Sequence, residues 1–364
     1  MASSATAPSS LVRSEGAAEA GPGDVFTLTN ATSGNSIEWY RRSLSGTLSS
    51  AGTYPTGGTG SGDGLNGASN TIAYDASHNL LYAVDAGSND IVSFQVNGSS
   101  LQRIDKVPSG GTEPVSLAVH DNVLYVLNAG SNQISGFTTD QNGHLAPIAG
   151  STRALSGSAS DDPVDLRFGP DGSTLIATEK LSNNIDIFTI DSENLPSGPT
   201  PRTAAGQTPF GFAVTPSGQL IVAEASNAAK GQAAVSSYDI SRTGALSVVS
   251  ASVPNHQTAS CWIAITPDGR FAYAANSPND DLSGYAIGAG GRLSLLNQSG
   301  VAAAEATGSH PVDIATSVDG RFLYVLNQFT GTIAPYSIGN DGKLSPLATV
   351  AGLPPNSVIG LAVH

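Results

Sequence analysis

Short apolar runs that end on a polar residue recur along this chain, separated by turn-forming text. The clearest is Asp319-Gly320-Arg321-Phe322-Leu323-Tyr324-Val325-Leu326-Asn327, followed by Ile333 and Tyr336. It reads as turn, strand, turn, strand. Anchored at its second apolar position, the run returns at Phe26, Tyr82, Tyr125, Ile176, Ile221, Tyr273 and Tyr324, with spacings of 56, 43, 51, 45, 52 and 51. Seven units of roughly 40–50 residues have the period of propeller blades built from four strands each. No stretch carries the 3.6-residue apolar period of a helix.

Within a unit the parts keep their order. A first strand follows a proline in the segments that begin at Pro114, Pro163, Pro209 and Pro311, and residues 69–74 and 260–265 fill the same slot without one. Tight turns such as Pro170-Asp171-Gly172 and Pro267-Asp268-Gly269 come next, where glycine accepts positive φ without steric cost. The third strand carries paired positions three apart, as in Ile91/Phe94, Ile134/Phe137, Ile185/Phe188, Leu282/Tyr285 and Ile333/Tyr336. A Gly-x-Leu turn into the fourth strand stands at Gly46, Gly143, Gly244, Gly291 and Gly342.

The first unit begins at its second strand, Val25-Phe26-Thr27-Leu28. Its missing first strand is supplied by Ile359-Gly360-Leu361-Ala362-Val363-His364, which parallels Val115-Ser116-Leu117-Ala118-Val119-His120. The expected fold is therefore an all-β, seven-bladed β-propeller over residues 24–364, its ring closed by the C-terminal strand. Closure removes the sheet edges that an open array would expose.

Composition narrows the function classes. A net charge of −14 argues against nucleic acid and against an anionic membrane surface, both of which need a basic face. Charged residues are only 12 % of the chain, while Gly (42) and Pro (21) supply the many turns. No apolar run approaches the ~20 residues of a membrane-spanning helix. The single cysteine, Cys261, excludes an internal disulfide and reads as a small apolar residue. Residues 1–23 are rich in Ala, Ser, Gly and Pro, without the apolar core of a signal peptide, and read as a disordered leader. Removal of an export signal would leave the same text, so the expectation is a soluble chain whose compartment stays open.

The repeat resembles the seven-bladed propeller lactonases, a family that includes the propeller-type 6-phosphogluconolactonases and carboxymuconate cyclases. The resemblance rests on segments such as Leu323-Tyr324-Val325-Leu326-Asn327, Val123-Leu124-Tyr125-Val126-Leu127-Asn128, Thr208-Pro209-Phe210-Gly211-Phe212 and Cys261-Trp262 before Thr266-Pro267-Asp268-Gly269-Arg270. It implies a small-molecule substrate and lactone chemistry at the mouth of the central channel, with a glutamate at a strand end moving protons. Where better understood members are His-rich, this chain reads Asp161-Asp162-Pro163-Val164-Asp165.

Aligning the units by position yields the candidate residues. Second strands end in Asn30, Asp85, Asn128, Glu179, Glu224, Asn276 and Asn327. Asn and Asp there cap turns by bonding their own backbone. Glu is a poor turn former, so Glu179 and Glu224 are either plain surface residues or candidates for general base and acid. In the first strand, four residues past the proline slot, the units read Ala362, Ala73, Ala118, Arg167, Ala213, Ala264 and Ala315. Two positions earlier they read Gly360, Thr71, Ser116, Asp165, Gly211, Trp262 and Asp313. Alanine suits a crowded centre, and a guanidinium placed there needs carboxylate partners, which Asp165 and Asp313 could provide. Arg167 is then either a plug for the channel or an anchor for an anionic substrate. His310, before Pro311, and Trp262 complete the set around the expected mouth. Asp85, Asn128, Asn276 and Asn327 join it as polar rim.

Two long segments, 54–69 and 227–234, lie on the same expected face, as plain surface loops by default or as a flexible cover. There is no phosphate loop, Gly-x-Ser-x-Gly elbow or zinc spacing, so no cofactor or metal is expected. Two readings stay open: a monomeric lactonase or cyclase acting on a small, anionic molecule, and a non-catalytic propeller that binds or scaffolds.

Overall fold

The structure, a computed structural model, describes residues 22–364. The leader assigned above falls almost entirely outside them. Seven antiparallel sheets follow one another, each with strand order one to four from the axis outward. In blades 3, 6 and 7 the outermost strand is broken into two short pieces, such as Leu145–Pro147 and Arg153–Ala154, both paired to Gln133–Thr139.

Second strands such as Phe322–Asn327 and Leu80–Asp85 are buried at every position. Neighbouring blades cover both faces of such a strand, so it reads as a continuous apolar run rather than an alternation. The seven anchor residues identified by spacing are all fully buried. The Gly-x-Leu turn shows how closely the blades stack. Gly342 has φ +79°, and a Cβ added there would sit 2.6 Å from the Phe271 ring of the preceding blade. The Tyr273 hydroxyl donates to the Gly342 carbonyl at 2.8 Å, and Tyr324 does the same to Gly46 at 3.0 Å across the join between blades 7 and 1.

Ring closure occurs as the repeat predicts. Ile359–Val363 pairs with Gly23–Leu28, with Phe26 opposite Ala362. The Thr27 hydroxyl donates to the Ile359 carbonyl at 3.1 Å. On the outer side of the join, buried Arg42 meets buried Asp319 at 3.2 Å.

The innermost strands are Ile359–Val363, Ile72–Asp75, Pro114–His120, Pro163–Phe168, Pro209–Val214, Ser260–Ile265 and Pro311–Thr316 for blades 1 to 7. Each pairs on one edge with its second strand and turns the other edge to the axis. Each starts at the face where the chain crosses between blades and ends at the face of the first hairpins. That polarity decides which residues meet at the hub.

Candidate functional site

The hub holds a cavity of 420 Å³ lined by Ala73, Ala213, Ala264, Ala315 and Ala362, with Arg167 at the equivalent place in blade 4. The sixth alanine, Ala118, lines an adjoining recess of 300 Å³ that shares Asn70, Arg167 and Phe168 with the main cavity. The alanines therefore do not relieve a crowded centre, as their size suggested. They leave room, and the volume is in the range of small-molecule sites, ~300–1,000 Å³.

Arg167 is brought beside the carboxylates expected of it. Its Nε donates to Asp165 Oδ2 at 3.3 Å and its Nη2 to Ser69 Oγ at 3.4 Å, while 28 % of the side chain stays exposed. Nη1 has no hydrogen-bond partner among the described residues. Asp165 is wholly buried and also accepts from Asn70 Nδ2 at 3.0 Å and from the Phe212 N–H of the next blade at 2.9 Å. Burial raises its pKa, against the pull of Arg167. Asp313 lines the cavity and accepts from the N–H groups of Ile314 and Leu361 at 2.9 and 3.0 Å. Burial first, and the Asp165 charge second, push Asp313 up to about 7 although Arg167 draws it down. Its carboxyl is thus poised to change protonation near neutrality.

The crossover-face end of the hub is closed. Segment 54–69, a candidate cover, enters the channel. Buried Leu65 and Ala68 lie over it, and Trp262 Nε1 donates to the Ala68 carbonyl at 3.3 Å. The Trp262 and Phe210 rings pack 5.5 Å apart, and Lys180, paired with Asp162 at 2.6 Å, lies over Phe210. Trp262 is a buried part of this plug and does not line the cavity. The cavity lies instead at the hairpin-face ends of the inner strands, between Tyr74, Phe168, Ile265 and Thr316.

The other candidates lie elsewhere. Glu179 is fully buried and accepts from Ser156 and Ser182 hydroxyls at 3.1 and 2.9 Å and from Gly157 N–H at 3.1 Å. Glu224 is held by Ser252 at 2.7 Å and by Ser236. Burial raises the pKa of both, with Asp186 adding to the effect at Glu179. Neither lines the hub cavity. A second strand lies one place out from the axis, so the side chain at its end meets the crossover segment arriving from the previous blade. The rest of the ring behaves alike. Asp85 accepts from Thr56 at 2.7 Å and Asn128 donates to the Ser109 carbonyl at 3.4 Å. Asn276 accepts from Asn255 at 3.4 Å and Asn327 donates to Glu305 at 2.8 Å. His310 stacks on Phe329 at 4.2 Å, away from the cavity, and burial lowers its pKa.

Two residues of the site escaped the sequence reading. Asn70 stands one place past the proline slot, where the other units read Ile359, Val115, Val164, Phe210, Cys261 and Val312. That single amide among apolar residues was a legible signal. Ser69 occupies the slot itself and carried none.

The family described as lactonase, 7-bladed β-propeller, matches in three overlapping stretches, residues 33–160, 123–261 and 232–359. A 6-phosphogluconolactonase of Sodalis glossinidius (strain morsitans) is 26 % identical over 220 residues, 59 % of this chain and 50 % of the relative. The match thus spans about half the length of that curated protein. Among solved structures, a Lactobacillus plantarum protein superposes with a TM-score of 0.76 at 20 % identity, covering 94 % of this chain and 100 % of the other. A periplasmic gluconolactonase of Pseudomonas aeruginosa gives 0.72 at 17 %, covering 94 % and 99 %. At such identities the superpositions show the shared fold.

Proposed function

The chain belongs to the lactonase family of seven-bladed β-propellers, and we propose on that footing that it opens a small anionic lactone in the hub cavity. The observation that carries this reading is Arg167, the one guanidinium where six blades carry alanine, set beside Asp313 in a space of ligand size. Nη1 and the exposed part of the fork bind the anionic group of the substrate by charge-assisted hydrogen bonds. Asp165 and Ser69 fix the guanidinium for that task.

Asp313, in its carboxylate form, takes a proton from water as the water oxygen adds to the lactone carbonyl. The acyl C–O bond then breaks, and the same proton passes to the departing ring oxygen, giving a hydroxy acid. The reverse sequence closes the ring. This assigns proton transfer to Asp313 in place of Glu179 and Glu224, which serve as struts between blades. The first substrate to try is 6-phosphogluconolactone, which the Sodalis relative is named for.

The pH profile tests the assignment. A base with a pKa of about 7 works only once deprotonated, so kcat/KM rises with pH through a limb centred near that value. Asp313→Asn loses the limb and about 100-fold or more of the rate at pH 8, the usual contribution of a positioned general base. An unchanged limb in this variant would remove Asp313 from the mechanism.

A further inference from the structure

Blade 5 departs from the repeat. Its second and third strands are joined by residues 225–233, the longest such connection, whereas 86–89, 129–132, 180–183, 277–280 and 328–331 do the same work in blades 2, 3, 4, 6 and 7, and 29–35 in blade 1. In repeat proteins insertions map to loops on one face, which is often a binding face. Beneath this one lies a cleft of 400 Å³, lined by Gln207, Ser226, Gln232, Ser252 and Pro254 among others. It is on the crossover face, shares no lining residue with the hub cavity, and belongs to no part of the mechanism above.

The cleft is built under strain. Ser226, Asn227 and Ala228 have φ of +49°, +52° and +56° in succession, and Ser252 has +41°. Left-handed backbone costs a non-glycine residue roughly 1–2 kcal/mol, and successive residues seldom adopt it. Ser252 sits at a bulge in the fourth strand, where its hydroxyl donates to Glu224 at 2.7 Å. That fully buried carboxylate also accepts from Gly206 N–H, so it fixes two elements of the cleft floor. The Ser252 hydroxyl, committed as donor to Glu224, keeps acceptor capacity at the cleft wall. The Gln207 side-chain oxygen is occupied by Asn227 at 2.9 Å, which leaves its NH₂ group to donate. The Ser226 hydroxyl donates to the Gln232 carbonyl at 2.7 Å and likewise keeps acceptor capacity. No charged side chain lines the cleft, and Ala229, Ala234 and Pro254 supply an apolar patch beside the polar groups.

We propose that this cleft is a second small-molecule site that takes a neutral, hydroxyl-rich ligand, a saccharide unit. Closely spaced donors and acceptors without a fixed charge match a polyol, whose hydroxyls both give and accept, and the apolar patch matches the C–H face of a sugar ring. An anion finds no cation in it.

The test is a titration of the whole chain with D-glucose, D-galactose and maltose by ligand-observed NMR and calorimetry. At least one of them binds saturably with a millimolar Kd. The Gln207→Ala/Gln232→Ala double variant, altered only at exposed side chains, weakens that binding at least tenfold, and Arg167→Ala leaves it within twofold. The proposal is overturned if no neutral sugar binds up to the order of tens of millimolar, if binding survives the double variant, or if it is lost in Arg167→Ala. The last outcome would place the sugar in the hub. Failure of lactone hydrolysis bears on the hub alone and leaves this titration independent.

Discussion

A chain ending at Val358 is expected to lose its cooperative melting transition. Residues 359–364 supply the innermost strand of blade 1, and their removal uncovers the full edge of Gly23–Leu28 at the seam of the ring. Buried Ile359, Leu361 and Ala362 go with them, as does the Leu361 N–H that Asp313 accepts at 3.0 Å. The hydrogen bond from Thr27 to Ile359 is lost as well. Folded domains are held by only ~5–15 kcal/mol, and a loss spread over a strand, a core segment and a buried carboxylate is of that size. The buried Arg42–Asp319 pair spans the same seam but cannot replace a strand. Circular dichroism during heating gives the readout. A sharp transition within a few degrees of the parent would show that the ring does not depend on this closure.

Arg167→Ala should cost lactone hydrolysis ~100-fold or more in kcat/KM, equivalent to about 2.7 kcal/mol of transition-state binding. The loss should fall mainly on KM if the anion is held equally in ground and transition states. Arg167→Lys is the informative companion. It keeps a positive charge opposite Asp165 but presents a point charge in place of the planar fork, so it should recover part of the rate and most of the stability. Uncharged lactones of the same ring size should be nearly indifferent to either change. If Arg167 merely plugs the channel, both variants would lower the melting temperature and leave kcat/KM of the surviving protein within about twofold.

The fold was legible because a propeller repeats its packing problem seven times. Each second strand is covered on both faces, so each must be an apolar run, and Tyr82, Tyr125, Tyr273 and Tyr324 mark it at regular spacing. The same alignment exposed Arg167 among alanines, Asp165 and Asp313 two places earlier, and, had it been carried one place further, Asn70. What spacing could not show was which end of the channel is open. That depends on segment 54–69, whose path into the hub is set by contacts with Phe210 and Trp262 from two distant blades. Leu65, at φ +45°, takes a backbone conformation no propensity would suggest. Glu179 and Glu224 drew notice for a sound reason, since glutamate is an unusual strand terminus. Their partners Ser156, Gly157 and Gly206 come from crossovers, and Ser252 from a bulge in a fourth strand, whose courses the strand pattern leaves unspecified. A carboxylate held between blades and one that faces a cavity look alike until those partners are placed.

The most direct measurement is a crystal structure of the chain soaked with the hydroxy acid released from a lactone it hydrolyses. The anionic group is expected in the hub cavity within hydrogen-bond distance of Arg167, ~2.7–3.2 Å, with the carboxyl carbon facing Asp313 and entry from the hairpin face. Density for the product on the crossover face, against Glu179 or outside the Leu65–Ala68 plug, with the hub cavity empty, would contradict that placement.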